Sequence, residues 1–440
     1  MSDTNTNPVS PSTSRSAMVT VFLVVFIDLL GFGIVLPLLP RVAENYLPLA
    51  TEANPNGLSD TARGAMLGAL YSSFSLMQFV FSPFWGRLSD RVGRRPVLLI
   101  SLTGSVLFYA LFAFASTIPA EQSTLALTLL MVSRIGAGIA GASVSTAAAV
   151  IADCTTRENR SKGMALIGVA FGFGFTLGPL IAYAGLKIFQ NQHWGVGAVA
   201  SGLSFIALLI AAARFRETRS ASGEATAREL FSLSKTMEIV RSPVFGPIVL
   251  VYFLVIFSFA LFEGTLSLFT KDVFQMNDES NFLIFAFIGF VLMVAQGGVY
   301  RRVAGKIREE KLIAFGVLML IVGMAGIGGV ALAKSIMTGS SDAIGGLKPV
   351  FFLVTAIAVF GFAFVNPSIS ALVSKRADPS RQGEVQGVNQ SFASLGRIFG
   401  PAIGLFIFEK DVRRLAPYAL GIVTLFLVGL LLPQFNRVKD

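Results

Sequence analysis

The polar positions of this 440-residue chain fall into short intervals between long apolar runs. A helix needs about 20 mainly apolar residues to cross the hydrocarbon of a bilayer. By that measure twelve runs qualify, near 17–40, 64–85, 97–118, 124–150, 164–186, 195–214, 245–269, 281–300, 312–333, 349–373, 386–408 and 416–434. In lipid every backbone N–H and C=O must be satisfied within the structure, so isolated runs of this length predict α-helices. The runs near 124–150 and 386–408 carry more Gly, Ser and polar residues than the others, as helices do where they pack closely or line a cavity. The first run is too long for the apolar core of a signal peptide and has no small-residue cleavage site, so it is expected to remain as the first helix. Residues 1–16 and 435–440 are expected to be tails, the first of them disordered. The pattern predicts an all-α polytopic membrane protein.

The longest polar connection, 215–243, divides the chain into two sets of six runs, 17–214 and 244–434. Its second part, near 226–241, reads either as a short amphipathic surface helix or as part of a flexible linker. The two sets share landmarks. Gly174, Gly178 and Pro179 form a Gly-x-x-x-Gly-Pro segment in the fifth run, and Gly396, Gly400 and Pro401 repeat it in the eleventh, 222 residues later. Gln78 precedes a basic turn in the first set, and Gln296 precedes Arg301, Arg302 and Lys306 in the second. Such a duplication predicts two pseudo-symmetric six-helix bundles with a site between them near mid-membrane.

Composition narrows the function. Charged residues make up 14% of the chain, against roughly 25% in soluble domains. The net charge of +10 sits in the turns, which points to a lipid bilayer as partner and away from nucleic acid. With the N-terminus inside, the cytoplasmic segments hold 24 Lys and Arg and the opposite side 9. That bias predicts both termini in the cytoplasm and a place in the cell membrane. A single cysteine, Cys154, and a single histidine, His193, exclude a disulfide framework and a Cys/His metal centre. With no nucleophile–histidine arrangement and no phosphate-binding loop, the chain is not expected to be an enzyme.

Four ionisable residues lie well inside the runs: Asp28, Arg134, Glu263 and Arg397. Each would cost roughly 2.5–3.5 kcal/mol at a helix centre, so each must face a polar cavity, find a partner or change protonation state. Asp28 is about 16 Å into the first helix, near mid-depth, and is the first candidate proton carrier. Arg134, at mid-depth in the fourth run, is its candidate partner. Glu263, about 9 Å from the outer boundary, reads as a second proton site, a contact for a cationic substrate or a hydrated residue. Arg397 reads as a contact for a substrate anion or as the partner of Glu263. Gln78, Gln296, Asn366, Asn389 and Gln390 are candidates for the lining of a cavity, or interhelical hydrogen bonds.

The turn after the second run reads Gly86-Arg-Leu-Ser-Asp90-Arg91-Val-Gly93-Arg94-Arg95-Pro96. This spacing resembles the loop 2–3 signature of the major facilitator superfamily. Asp28 to Pro37, Arg134 with Gly138, Gly174 to Pro179, and Arg381 to Gly383 with Gly387 resemble motifs of its twelve-helix drug:proton antiporter branch, which holds the tetracycline-efflux proteins. The fifth-helix motif departs from the usual pattern in continuing into Ala182 and Tyr183. The resemblance implies alternating access between the two bundles, with proton coupling through Asp28 and Arg134. It implies that Gly86, Asp90, Arg91, Gly93, Arg94 and Arg95 form a conformational gate. In that picture Asp90 and Arg91 lock the outward-open state against Asp153 and the start of the eleventh helix. It further implies export of small amphipathic or cationic compounds by a monomer driven by the proton gradient, with no bound cofactor and no metal. A proton symporter or uniporter for a metabolite, or a non-transporting receptor, is the alternative.

Overall fold

A computed structural model describes residues 11–50, 55, 57–155, 160–218, 233–337, 341–378 and 381–436. Each of the twelve apolar runs falls on a helix. These are α1 (Pro11–Val35), α2 (Asp60–Val92), α3 (Arg94–Ala115), α4 (Ser123–Gly141, resumed over Val144–Asp153), α5 (Arg160–Ile188), α6 (His193–Arg214), α7 (Gly246–Phe274), α8 (Asp278–Met293, continuing as a π-helical turn over Val294–Tyr300), α9 (Glu309–Ile336), α10 (Ser341–Arg376), α11 (Gln382–Lys410) and α12 (Ala416–Leu431). Ten spans qualify by length and apolarity among the described residues, and Phe22–Val35 and Gly172–Ile188 are shorter apolar stretches of α1 and α5. The tails 1–10 and 437–440 and the linker residues 219–232 lie outside the described residues. The last part of the linker is a short helix, Leu233–Arg241.

The sequence predicts a turn over Gly86–Pro96, but most of that stretch is helical. α2 continues to Val92, α3 begins at Arg94, and Gly93, at φ +105°, makes the reversal alone. α4 is interrupted at Ala142–Ser143, inside one expected run.

Helix pairs repeat between the halves. α1 packs on α5 in the first half and α7 on α11 in the second. Both contacts run through the repeated Gly-x-x-x-Gly-Pro segment. A Cβ at Gly178 would lie 2.9 Å from the carbonyl carbon of Gly33, and one at Gly400 would lie 2.6 Å from Cβ of Ala260. At that distance only glycine lets the backbones meet. Pro401 in turn sits against Gly264 of α7. The halves meet each other through α2 with α11 and α5 with α8.

Cross-half hydrogen bonds and ion pairs gather at the end of the bundle opposite Gly86–Pro96. Arg41, in the short helix Leu39–Glu44, is only 4% exposed. Its guanidinium donates to Ser267 Oγ (3.1 Å), the Ser267 carbonyl (3.0 Å), Thr270 Oγ1 (3.0 Å), the Met276 carbonyl (2.8 Å) and Asp278 Oδ1 (3.0 Å). Burial holds this guanidinium below its ordinary pKa, while Asp278 pulls the other way. The second oxygen of Asp278 meets His193 Nε2 of α6 at 2.8 Å. Asn281 donates to the Pro37 carbonyl (2.9 Å), Lys187 pairs with Glu279 (2.6 Å), and Glu44 pairs with both Arg63 and Lys271. This end of the interface is sealed. Arg41→Met should leave Asp278 and two carbonyls short of a donor and loosen the seal. Labelling of Leu266→Cys, in a Cys154→Ala background, by an impermeant maleimide applied from the sealed side should rise severalfold. Unchanged labelling would show that Arg41 does not hold the seal.

Candidate functional site

A cavity of about 160 Å³ lies between the halves. Its wall is largely aromatic, with Phe32, Phe74 and Phe175 from the first half and Phe259, Phe262, Phe285 and Phe362 from the second. The rings of Phe259 and Phe362 stack at 3.8 Å and make a flat apolar wall. Six polar residues interrupt it: Ser75, Gln78, Glu263, Gln296, Asn366 and Arg397. All but Ser75 are among the residues singled out from the sequence.

Local structure fixes how each polar group is presented. Gln78 Nε2 donates to the Gly141 carbonyl of α4 at 3.0 Å, which ties one of its two donors to the helix behind it. Asn366 Oδ1 accepts from Tyr252 Oη at 2.6 Å, which orients the amide and uses one of its two acceptor sites. Gln296 sits in the π-helical turn of α8, a geometry that widens a helix and often marks functional positions. Arg397 directly follows Gly396, whose missing side chain lets α11 press against α7. Among the described residues Arg397 has no hydrogen-bond or ion-pair partner. Oε1 of Glu263 is buried without a hydrogen-bond partner.

Glu263 lies deeper than its sequence position suggests. α7 runs on to Phe274, past the expected end near 269, which leaves eleven residues, roughly 16 Å, beyond Glu263. Asn389 and Gln390 are not in the cavity wall. They sit about two turns from Arg397 towards the Gly86–Pro96 side. Asn389 is fully buried with neither amide atom hydrogen-bonded, and Gln390 is exposed. Asp28 belongs to α1, between cavity neighbours Phe32 and Leu29 and the helix start, but its side chain lies outside the described residues.

Arg134 stands behind the wall. It is 1% exposed, with its guanidinium 4.7 Å from the centroid of the Phe74 ring, a cation–π contact. Its Nε and Nη2 have no hydrogen-bond partner among the described residues. Tyr71 of α2 lies within electrostatic reach of both Arg134 and Glu263, and its buried hydroxyl is also unpartnered. The sequence reading missed Tyr71 because it weighed only charges and amides. A tyrosine beside Ser72 and Ser73 in an apolar run is the signal that was available.

The basic turn ties the first half together. Arg94 Nη1 donates to Asp90 Oδ1 (2.5 Å) and Ser89 Oγ (2.7 Å), and Nε donates to Asp153 Oδ2 of α4 (3.0 Å). Arg94, a member of the expected gate, thus meets Asp153. Gly86 faces Ser145 of α4, Arg91 lies in the last turn of α2, and Arg95 donates to the Ala212 carbonyl of α6 at 2.8 Å. Glu217, just past α6, accepts the backbone N–H groups of Arg94 (2.9 Å) and Arg95 (3.0 Å). It thus caps the N-terminus of α3, where a carboxylate is favoured. This residue escaped the sequence reading as one more charge of the linker.

A Cβ at Gly93 would lie 2.4 Å from Glu217 Oε2, on a backbone that side chains rarely adopt. Gly93→Ala should therefore cost about 1–3 kcal/mol, and Glu217→Ala about 0.5–2 kcal/mol. The two losses should be less than additive in the double variant, because removing Glu217 also removes the clash. Thermal unfolding of the four proteins in detergent checks this, and strict additivity would rule out the direct contact.

A family model described as Major Facilitator Superfamily matches residues 21–401 and 335–437. Major facilitator superfamily domain-containing protein 10 of Mus musculus is 30% identical over 429 residues, covering 90% of this chain and 88% of the relative. The class E tetracycline resistance protein of Escherichia coli is 29% identical over 398 residues, with the same coverage of each. Among solved structures, the human organic anion transporter MFSD10 (TETRAN) is similar with a TM-score of 0.65 and 27% identity, covering 95% of this chain and 99% of the other. The xylose transporter XylE of E. coli, at a TM-score of 0.73 and 16% identity over 98% and 100% of the two chains, shares the fold. The chain is a multi-pass membrane transporter, and it belongs to the Major Facilitator Superfamily.

Proposed function

We propose that this protein is a proton-coupled antiporter that exports small amphipathic organic compounds across the cell membrane by alternating access. The observation that carries the reading is the aromatic cavity between the halves, which holds Glu263 and Arg397 with Arg134 close behind it and is sealed at one end. A passive structural bundle has no use for ionisable groups buried at that depth. Similarity to tetracycline resistance proteins and to an organic anion transporter supports export of amphipathic molecules. The distribution of Lys and Arg supports cytoplasmic termini, which would put the end closed by Arg41 and Asp278 on the outer side.

Asp28 is the proposed proton carrier and Arg134 the permanent charge that tunes it. Glu263 is a second acid in the cavity, and Tyr71 lies within electrostatic reach of both Arg134 and Glu263. Asp90, Arg94 and Asp153 keep the first half rigid while it rocks against the second.

The reading is tested with the purified protein in vesicles that expose its cytoplasmic face and have an acidic lumen. Tetracycline should accumulate in the lumen as protons leave. Asp28→Asn should reduce uptake to the level seen without a gradient. Equal uptake by wild type with and without the gradient would make the protein a uniporter and overturn the antiport reading.

A further inference from the structure

We propose that the cavity selects organic anions, with Arg397 as the anchor for the anionic group and Glu263 as its internal competitor. The proposal rests on the cavity being the transport site and names the substrate class for it.

The argument begins from an asymmetry between the two charges. Both residues line the same cavity, and neither is paired with the other in a salt bridge among the described residues. Arg397 cannot shed its charge, because a guanidinium stays protonated in proteins. Glu263 can become neutral by taking a proton, which is the usual response of a carboxylate buried in apolar surroundings. The lasting demand of the cavity is therefore for a negative charge.

On the second-half side, Asn366 points the same way. Asn366 accepts one bond from Tyr252 on its oxygen and has two amide N–H donors that bond no described residue. Arg397 offers five more, none engaged in a hydrogen bond with the described residues. Donors thus converge on the second-half side of the cavity, while stacked Phe259 and Phe362 offer a face for a ring. An apolar cavity of about 150 Å³ takes up benzene, so the 160 Å³ here accommodates one aromatic ring beside the arginine. Among the described residues, the charged group within electrostatic reach of Glu263 is Arg397 on α11. A bound anion would take over the field of Arg397 that Glu263 otherwise feels, which makes substrate and Glu263 charge mutually exclusive.

The test is binding to the purified full-length protein in detergent by isothermal titration calorimetry, which needs neither a gradient nor turnover. Three single-ring probes differ only in charge: benzenesulfonate, benzenesulfonamide and benzyltrimethylammonium. Benzenesulfonate should bind best. Arg397→Gln should weaken it roughly ten- to a hundredfold while leaving benzenesulfonamide unchanged, and Arg397→Lys should fall between. Glu263→Gln should tighten benzenesulfonate severalfold by removing the competing charge. Unchanged melting temperature and retention of benzenesulfonamide show that the variants are folded. Tighter binding of benzyltrimethylammonium that is lost in Glu263→Gln would overturn the proposal and make the site a cation site. Benzenesulfonate binding that is absent in wild type, or indifferent to Arg397, would overturn it as well. Anion binding together with gradient-independent transport would uphold this inference and sink only the antiport reading.

Discussion

A permanent positive charge at membrane depth is the constraint on which the rest of the bundle depends. Asp and Glu can escape the cost of burial by taking a proton, but arginine cannot. The protein carries two such arginines and treats them differently. Arg134 is enclosed, with its guanidinium laid over the Phe74 ring. Arg397 is turned into the space between the halves. Space must therefore be kept there, and the two halves touch through two helix pairs rather than along their whole faces. Close glycine contacts at α1–α5 and α7–α11 make each half compact enough to leave that space open.

The two halves repeat each other in architecture but not in charge. At the end bearing Gly86–Pro96, the start of α3 meets the end of α4 through Arg94 and Asp153. The equivalent pair in the second half is α9 and α10. There Glu309 meets Lys375 at 2.5 Å and Glu310 meets Arg376 at 3.0 Å, so the acids start the third helix and the bases end the fourth. The duplication preserved a cross-link between these helices and reversed its polarity. In the described conformation both cross-links act within a half. They make each half a unit that can move as one body.

The helices were legible in the sequence because a bilayer imposes a length and a polarity on them that local context seldom overrides. The helix-packing glycines were legible because they recur at one spacing in both halves. The turn at Gly86–Pro96 was read as too long, since polar residues in lipid-facing proteins suggest a loop although the helix there extends into water at no cost to its hydrogen bonds. Five of the cavity residues were visible as polar groups in apolar runs. Tyr71, Glu217 and Arg41 were not, for separate reasons. Tyrosine is half apolar and hides in hydropathy, while Glu217 and Arg41 lie in connections where charge is ordinary. Only the fold shows that Glu217 points at a helix N-terminus and that Arg41 is buried among acceptors.

The composition of the seal bears on how it can be undone. Exposed ion pairs such as Lys187 with Glu279 contribute little in water, typically 0–1 kcal/mol each. Arg41 is the exception, because it is desolvated and has five different acceptor groups around it. A seal of many apolar contacts would open only at great cost. One that relies on a buried but fully hydrogen-bonded cation can open by exchanging its partners for water, group by group. Alternating access requires two states separated by a few kcal/mol, so that a proton or a substrate can shift the balance. A seal that is polar at its centre, set beside a cavity that holds one permanent charge and one optional charge, meets that requirement. The optional charge on Glu263 can change the balance inside the cavity without any change in the seal itself.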